Sequence, residues 1–439
     1  MFNSKLYQAS PVFIQNIMLS VRAFIRKKMR ENKKCNELTN TLITHEYDAD
    51  ALNKYTKAAL SHVIKEATKN VSFYTSEFSQ IKDFPYIDKA IVNKHKKEFV
   101  SSKRSGLVIQ GATSGTTGTP LSIPQNMESV IAEQAFVNRM MTWAGLESGD
   151  KKAWIRGDMI VPLEQKKPPF WRYSYFEDTI ILSSFHMLQK NLDSYIKAIY
   201  DFNVQVIQAY PSSIVALAKY LESNNRYYLG ELKSIITSSE SLSQEDKELV
   251  EKRFKCTVFD WYGLFERVAA IGSCEHGRYH ILADYSHVEL LDAGEGRHEI
   301  VGTNFNNELY PLVRYRTGDH VYLSDEESCP CGRVFPIVDR IEGRVGDYLV
   351  GEDGQKIHIL NHIPKGVEGL LATQFIQSSH YEIKVLVVVI PSLFTEAQQE
   401  KLINNTKKRL GKSIAVSVEI IDAIPRTKNG KVRQAICSI

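Results

Sequence analysis

The chain has 439 residues, too many for one compact core, so two or more domains are expected. Its composition, 43% hydrophobic and 24% charged, is that of a globular protein, and 55 basic residues against 51 acidic ones give no pull toward nucleic acid. Six cysteines are too few for a disulfide framework, no secretory signal precedes them, and no apolar run is long enough to cross a bilayer; a cytoplasmic, reducing setting is expected, with no transmembrane segment and no nucleic-acid partner.

From 12 to 80 the pattern predicts helices. In the first, Phe13, Ile14, Ile17, Val21, Phe24 and Ile25 share one face, and Arg22, Arg26, Lys27, Lys28 and Arg30 make its end basic. That face is expected to pack on the domain, with membrane-surface association as the alternative. Leu52, Tyr55, Ala59 and Val63 recur at helical spacing behind a capping Asp48. Further on, Gln205–Ile207 predicts a strand and Pro211 opens a helix with Ile214, Leu217, Ala218 and Leu221 inward. Ile235-Ile236 predicts a second strand, and Ser243 to Asp246 has capping-box spacing before another helix. Such alternation argues for an α/β fold. The last hundred residues form a separate unit. Ile383, Val385, Val387 and Val389 alternate as a strand, Leu402, Ile403, Thr406 and Leu410 mark a helix, and Val416, Val418 and Ile420 mark another strand. The boundary is expected near Glu342–Gly346.

Among the motifs, Thr113-Ser114-Gly115-Thr116-Thr117-Gly118-Thr119-Pro120 offers small side chains, hydroxyls and glycines. Backbone N–H groups of such a loop can cradle a polyphosphate, although an ordinary surface turn has the same composition. It is not a Walker-A loop: the one Gly-Lys-Ser, Gly411-Lys412-Ser413, has Thr406 where the first glycine should stand.

The same string resembles the phosphate signature of the adenylate-forming superfamily, with Thr119 where that signature usually has lysine. Four more motifs follow in the family's order. Ser238-Ser239-Glu240-Ser241-Leu242 resembles the adenine-side loop, so Ser239 and Glu240 are implied in nucleotide binding. Tyr262-Gly263-Leu264-Phe265-Glu266 resembles the element whose tyrosine packs on adenine and whose glutamate, here Glu266, holds Mg²⁺; Phe265 replaces the usual hydroxyl residue. Tyr315–Asp319 resembles the ribose motif, with Asp319 on the sugar hydroxyls, and Gly343-Arg344 resembles the hinge, with Arg344 as a second ribose contact and Gly346 at the pivot. Pro425–Lys431 resembles the carboxy-terminal loop that delivers the catalytic lysine, here Lys431.

Across the chain the similarity is to the phenylacetate–CoA ligase branch, and within it to CapK-like proteins of capsular polysaccharide biosynthesis. Ser183–His186, Tyr210–Ser212, Tyr279–Ile281, Cys329–Arg333 and Arg340–Arg344 carry it. The resemblance implies an α/β fold with a large multi-sheet N-terminal adenylation domain, 1–342, helical over 1–80, and a small mobile α+β C-terminal lid, 343–439. It implies ATP-dependent activation of a small carboxylic acid, then transfer to CoA or to an amine on a sugar or amino acid. A catalytically degenerate scaffold is the alternative, motivated by Thr119, Phe265 and Gly346. The acyl pocket is expected around Phe185–His186, Tyr210 and Ser238–Tyr262, without a charged residue to select a polar acid. Cys274, His280, Cys329 and Cys331 supply three thiolates and an imidazole, a ligand set for structural Zn²⁺; His276 is the alternative nitrogen, and some members of the branch carry such a site.

Overall fold

The computed structural model describes residues 2, 4–103, 106–112, 121–342, 348–357, 360, 363–427 and 429–439. Two compact units emerge: 1–21 with 148–258 and 345–439, and 22–147 with 259–344.

In the first unit the strands Trp171–Ser174, Thr179–Ser183, Lys152–Arg156, Val206–Ala209 and Ser234–Ser238 lie side by side in that order. The last four run parallel and the first antiparallel to its neighbour. Parallel neighbours need crossovers, and the helices Leu192–Asp201 and Pro211–Ser223 provide them. Ile214, Leu217, Ala218 and Leu221, predicted to face inward, are all buried against Ile155, Ile207 and Ile235. Ser243 caps the helix Gln244–Phe254 by accepting from Asp246 N–H at 3.1 Å. Near the carboxy end, Ala415–Ile420, Glu382–Val389, Leu370–Ser379 and Ala435–Cys437 form a four-stranded sheet under the helix Glu396–Leu410. Its core gathers Phe375, Ile383, Val385, Val387, Leu402 and Leu410.

The helix Val12–Arg30 has the predicted extent and the opposite orientation. Gln15, Asn16, Leu19, Ser20 and Ala23 are its buried residues, while Phe13, Ile17, Val21, Phe24 and Ile25 are exposed. The cause is an open sheet edge. Asn16 Oδ1 accepts from Tyr173 N–H at 3.0 Å, Ser20 Oγ accepts from Tyr175 N–H at 2.9 Å, and Gln15 Oε1 accepts from the buried Arg172. Backbone donors along an edge strand demand partners, and here a polar helix face supplies them.

The second unit is antiparallel. Ser286–Asp292, Arg297–Asn304, Tyr315–Leu323, Ile337–Glu342, Tyr279–Ile281, Ala270–Ser273 and Thr257–Gly263 follow one another in the sheet. Asp48 caps the helix Ala49–Asn70 through Ala51 N–H at 2.9 Å, as the sequence predicts. A hairpin pairs Val108–Ala112 with Ser122–Asn126. Helix Met127–Trp143 is tied to the sheet by a buried ion pair: Arg139 donates to Asp284 at 2.6 and 2.9 Å, and His45 Nδ1 lies 3.2 Å from the same carboxylate. Burial alone would raise the Asp284 pKa, but the Arg139 charge holds it below the ordinary carboxylate value.

Candidate active site and metal centre

Two of the sequence motifs dock on each other inside the second unit. Tyr315, Thr317 and Asp319 alternate on the buried face of their strand. Tyr262, at the end of Thr257–Gly263, donates its hydroxyl to Asp319 Oδ2 at 2.7 Å, across 57 residues of sequence. Glu266, only 1% exposed, accepts from Tyr315 OH at 3.2 Å. An aromatic ring, a sugar-type carboxylate and a second buried carboxylate thus meet on one strand face. A carboxylate oxygen is a hard donor, so Glu266 suits Mg²⁺ chemically.

Phe265 points another way. A Cβ added to Gly111 would lie 2.1 Å from Phe265 Cζ, so the ring rests directly on that glycine backbone. A side chain at Gly111 would therefore force the Phe265 ring to move. The phosphate-loop residues Thr113, Ser114, Gly115, Thr116, Thr117 and Gly118, together with Arg344 at the hinge, lie outside the described residues.

In the first unit the motifs around Ser239 and Lys431 meet. Ser239 holds φ of 71°, a left-handed conformation that costs a non-glycine residue about 1 kcal/mol. Arg156 Nη2 donates to Ser239 Oγ at 2.6 Å, and its guanidinium stacks over Tyr210, 5.0 Å from the ring centre. Glu240 uses both carboxylate oxygens on backbone donors. One accepts from Ser212 N–H at 2.9 Å, at the start of the helix Pro211–Ser223, where the helix dipole favours an anion. The other accepts from Val432 N–H at 2.7 Å, next to Lys431.

The loop bearing Lys431 is held at several further points. Thr427 and Lys431 close it, with Thr427 N–H donating to Lys431 O at 2.9 Å and Lys431 N–H donating to Thr427 Oγ1 at 3.2 Å. Tyr210 OH donates to Asn429 O at 3.0 Å, and Arg426 donates to Gly430 O at 2.8 Å and to Ser212 Oγ at 3.3 Å. Gly157 lies so close that a Cβ there would sit 1.8 Å from Asn429 O.

Neither Arg156 nor Gly157 stood out in the sequence, because a strand ending in Arg-Gly matches no motif. Arg156 also corrects the expectation of a site without charged residues beside Tyr210. His186, expected near the acyl pocket, is buried and held by two hydrogen bonds. Its Nε2–H donates to Pro162 O at 3.1 Å, its Nδ1 accepts from Ser183 Oγ at 2.8 Å, and it stacks on Phe170. Burial lowers its pKa below the ordinary imidazole value.

The four proposed metal ligands converge. The donor atoms of Cys274, His280, Cys329 and Cys331 all lie within 4.8 Å of one another. Cys274 Sγ and Cys329 Sγ are 3.6 Å apart, and Cys331 Sγ is 3.5 Å from His280 Nε2. Tetrahedral Zn–S bonds of about 2.3 Å put sulfurs roughly 3.8 Å apart, so the cage fits zinc. His280 Nδ1 faces Phe335 O at 3.4 Å, which leaves Nε2 toward the thiols. His276 is not in the group. Around the cage, Arg333 donates to Glu46 at 3.0 Å and to Glu275 at 2.7 Å, and its guanidinium lies 4.2 Å from the Trp143 ring centre.

Comparison with known proteins gives a family match at the carboxy end, one relative aligned over its full length and others aligned in part. Residues 349–438 match the CapK C-terminal domain family. The chain is 26% identical to Protein CapK of Staphylococcus aureus over 450 aligned positions, covering 99% of each chain. It is 26% identical to the phenylacetate-coenzyme A ligase of Thermus thermophilus, over 54% of this chain and 61% of that one. Among solved structures, 2-hydroxyisobutyryl-CoA ligase, in the postadenylation state in complex with R3-HIB-AMP, aligns with a TM-score of 0.66, 16% identity and coverage of 90% and 91%. At that identity the likeness is one of fold.

Proposed function

The chain belongs to the adenylate-forming superfamily, in its phenylacetate–CoA ligase-like, CapK-like branch, and from that premise we propose that it activates a small carboxylic acid with ATP and passes the acyl group to CoA. The double docking of Tyr262 on Asp319 and of Glu266 on Tyr315 carries this reading. It assembles a ring for adenine, a carboxylate for two ribose hydroxyls and a carboxylate for the cation beside the phosphates.

In the first step an oxygen of the acid bonds to the α-phosphorus of ATP while the bond to pyrophosphate breaks. Ser239 would meet the base through its backbone, Asp319 and Arg344 would contact the ribose, and Thr113–Gly118 would bind the phosphates. Mg²⁺ held by Glu266 supplies counter-charge when bound. The Lys431 ammonium stands between the acyl carboxylate and the α-phosphate, where negative charge gathers. In the second step the CoA sulfur bonds to the acyl carbon, the bond to AMP breaks, and the thiol proton passes to solvent. Residues 343–439 act as the lid that turns between the steps. An amine on a sugar or amino acid in place of CoA would give an amide and place the reaction in polysaccharide biosynthesis. Acid-dependent pyrophosphate release over a panel of carboxylic acids, with and without CoA or amino sugars, tests the reading. Failure of every acid in the panel to support release would overturn it.

Glu240 acts here through Lys431, as the brace of its loop. Glu240→Ala removes two charge-assisted hydrogen bonds, each contributing about 1.5–3 kcal/mol. Adenylation is expected to fall about tenfold or more, while thioester formation from supplied acyl-adenylate stays near wild type. Equal loss in both half-reactions would show that Glu240 supports only the fold.

A further inference from the structure

The helix Val12–Arg30 turns its apolar side outward. Phe13, Ile17, Val21, Phe24, Ile25 and Met29 are between 43 and 63% exposed, far more than isolated surface hydrophobics require. Their spacing places them on one face along a rod about 28 Å long. The opposite face is fixed by the hydrogen bonds of Asn16 and Ser20 to the sheet edge, so the stripe cannot turn inward without stripping those backbone donors. The same helix carries Arg22, Arg26, Lys27, Lys28 and Arg30 and no acidic residue. The Lys28 ammonium lies 5.8 Å from the Phe24 ring centre, so the cations flank the stripe itself. Lys27 has only a long, exposed contact of 4.0 Å to Glu31 beyond the helix end. Among the described residues no helix is long and apolar enough to cross a membrane.

We propose that this helix docks the protein on an anionic lipid surface. The stripe enters the headgroup–acyl boundary, and the exposed Arg26, Lys27 and Lys28 meet lipid phosphates. Long basic side chains can keep their stems in the apolar layer and their charges at the headgroups, which suits Lys28 in the middle of the stripe. Charge decides for lipid over a protein surface of the same shape: exposed Arg26, Lys27 and Lys28 beside an apolar bed, on a helix without acidic residues, are complemented by a layer that is anionic outside and hydrocarbon beneath.

The test is sedimentation of the full chain with vesicles of mixed phosphatidylglycerol and phosphatidylcholine, against phosphatidylcholine alone. Binding to the anionic vesicles is expected to exceed binding to the neutral ones by about tenfold or more and to weaken with salt. Phe13→Ser with Phe24→Ser, and separately Arg26→Gln with Lys27→Gln and Lys28→Gln, should each lower it by about tenfold. All five positions are exposed, so thermal unfolding should match wild type. Failure of the wild type to bind anionic vesicles, or undiminished binding by the Phe13/Phe24 variant, would overturn the proposal. A solution dimer that the same variant dissociates, without vesicle binding, would assign the stripe to a second copy and equally overturn it.

Discussion

Replacing Lys431 by alanine is expected to lower acyl-adenylate formation by about 10²-fold or more, while leaving the fold intact. The loop is organised before any substrate arrives: Thr427 closes it, Tyr210 and Arg426 hold its carbonyls, and Glu240 takes the Val432 N–H. A loop held at so many points loses little freedom on substrate binding, and on the proposed reading the Lys431 charge would offset the negative charge gathering at the reacting phosphorus. On that reading, Thr119 in place of the lysine usual in the family's phosphate signature would enlarge the share left to Lys431. Lys431→Arg should restore little, because a planar fork does not replace a compact ammonium. Thioester formation from supplied acyl-adenylate should continue in both variants. Rapid single-turnover assays of the two half-reactions would show this. A scaffold without catalysis predicts instead that cells carrying Lys431→Ala keep the protein's biological role.

The second large effect concerns the cage of Cys274, His280, Cys329 and Cys331. Elemental analysis is expected to find one zinc per chain. Cys329→Ser with Cys331→Ser should release it and cost on the order of 4 kcal/mol of stability. The cage joins the hairpin of Cys274 and His280 to the turn of Cys329 and Cys331, so losing it frees two segments at once. His280→Ala should behave like the cysteine pair and His276→Ala like wild type. Full metal content in His280→Ala would show that the nitrogen ligand lies elsewhere.

Much of this was legible in the sequence where local and long-range forces agree. Val206–Ala209, Pro211–Ser223, Ser234–Ser238 and Gln244–Phe254 lie close to where apolar spacing, Pro211 and the Ser243 cap put them. The four metal donors converge because a hairpin presents Cys274 and His280 and a short turn presents Cys329 and Cys331. The orientation of the Val12–Arg30 helix was not legible, since periodicity says which residues share a face but not which face a neighbour needs. There the unpaired N–H groups of Tyr173 and Tyr175 outweighed the apolar face. Glu240 reads in the motif as a ligand contact, and only tertiary structure shows both its oxygens on backbone donors. Arg156 and Gly157 were invisible because their significance depends on a loop more than 270 residues later in the chain.

The most direct measurement is exchange of labelled pyrophosphate into ATP, with a panel of carboxylic acids and no acceptor. The adenylation reading predicts label in ATP only when a suitable acid is present, and loss of that exchange in Lys431→Ala. Folded, metal-replete protein that exchanges with no acid, or exchanges equally without acid, would contradict it.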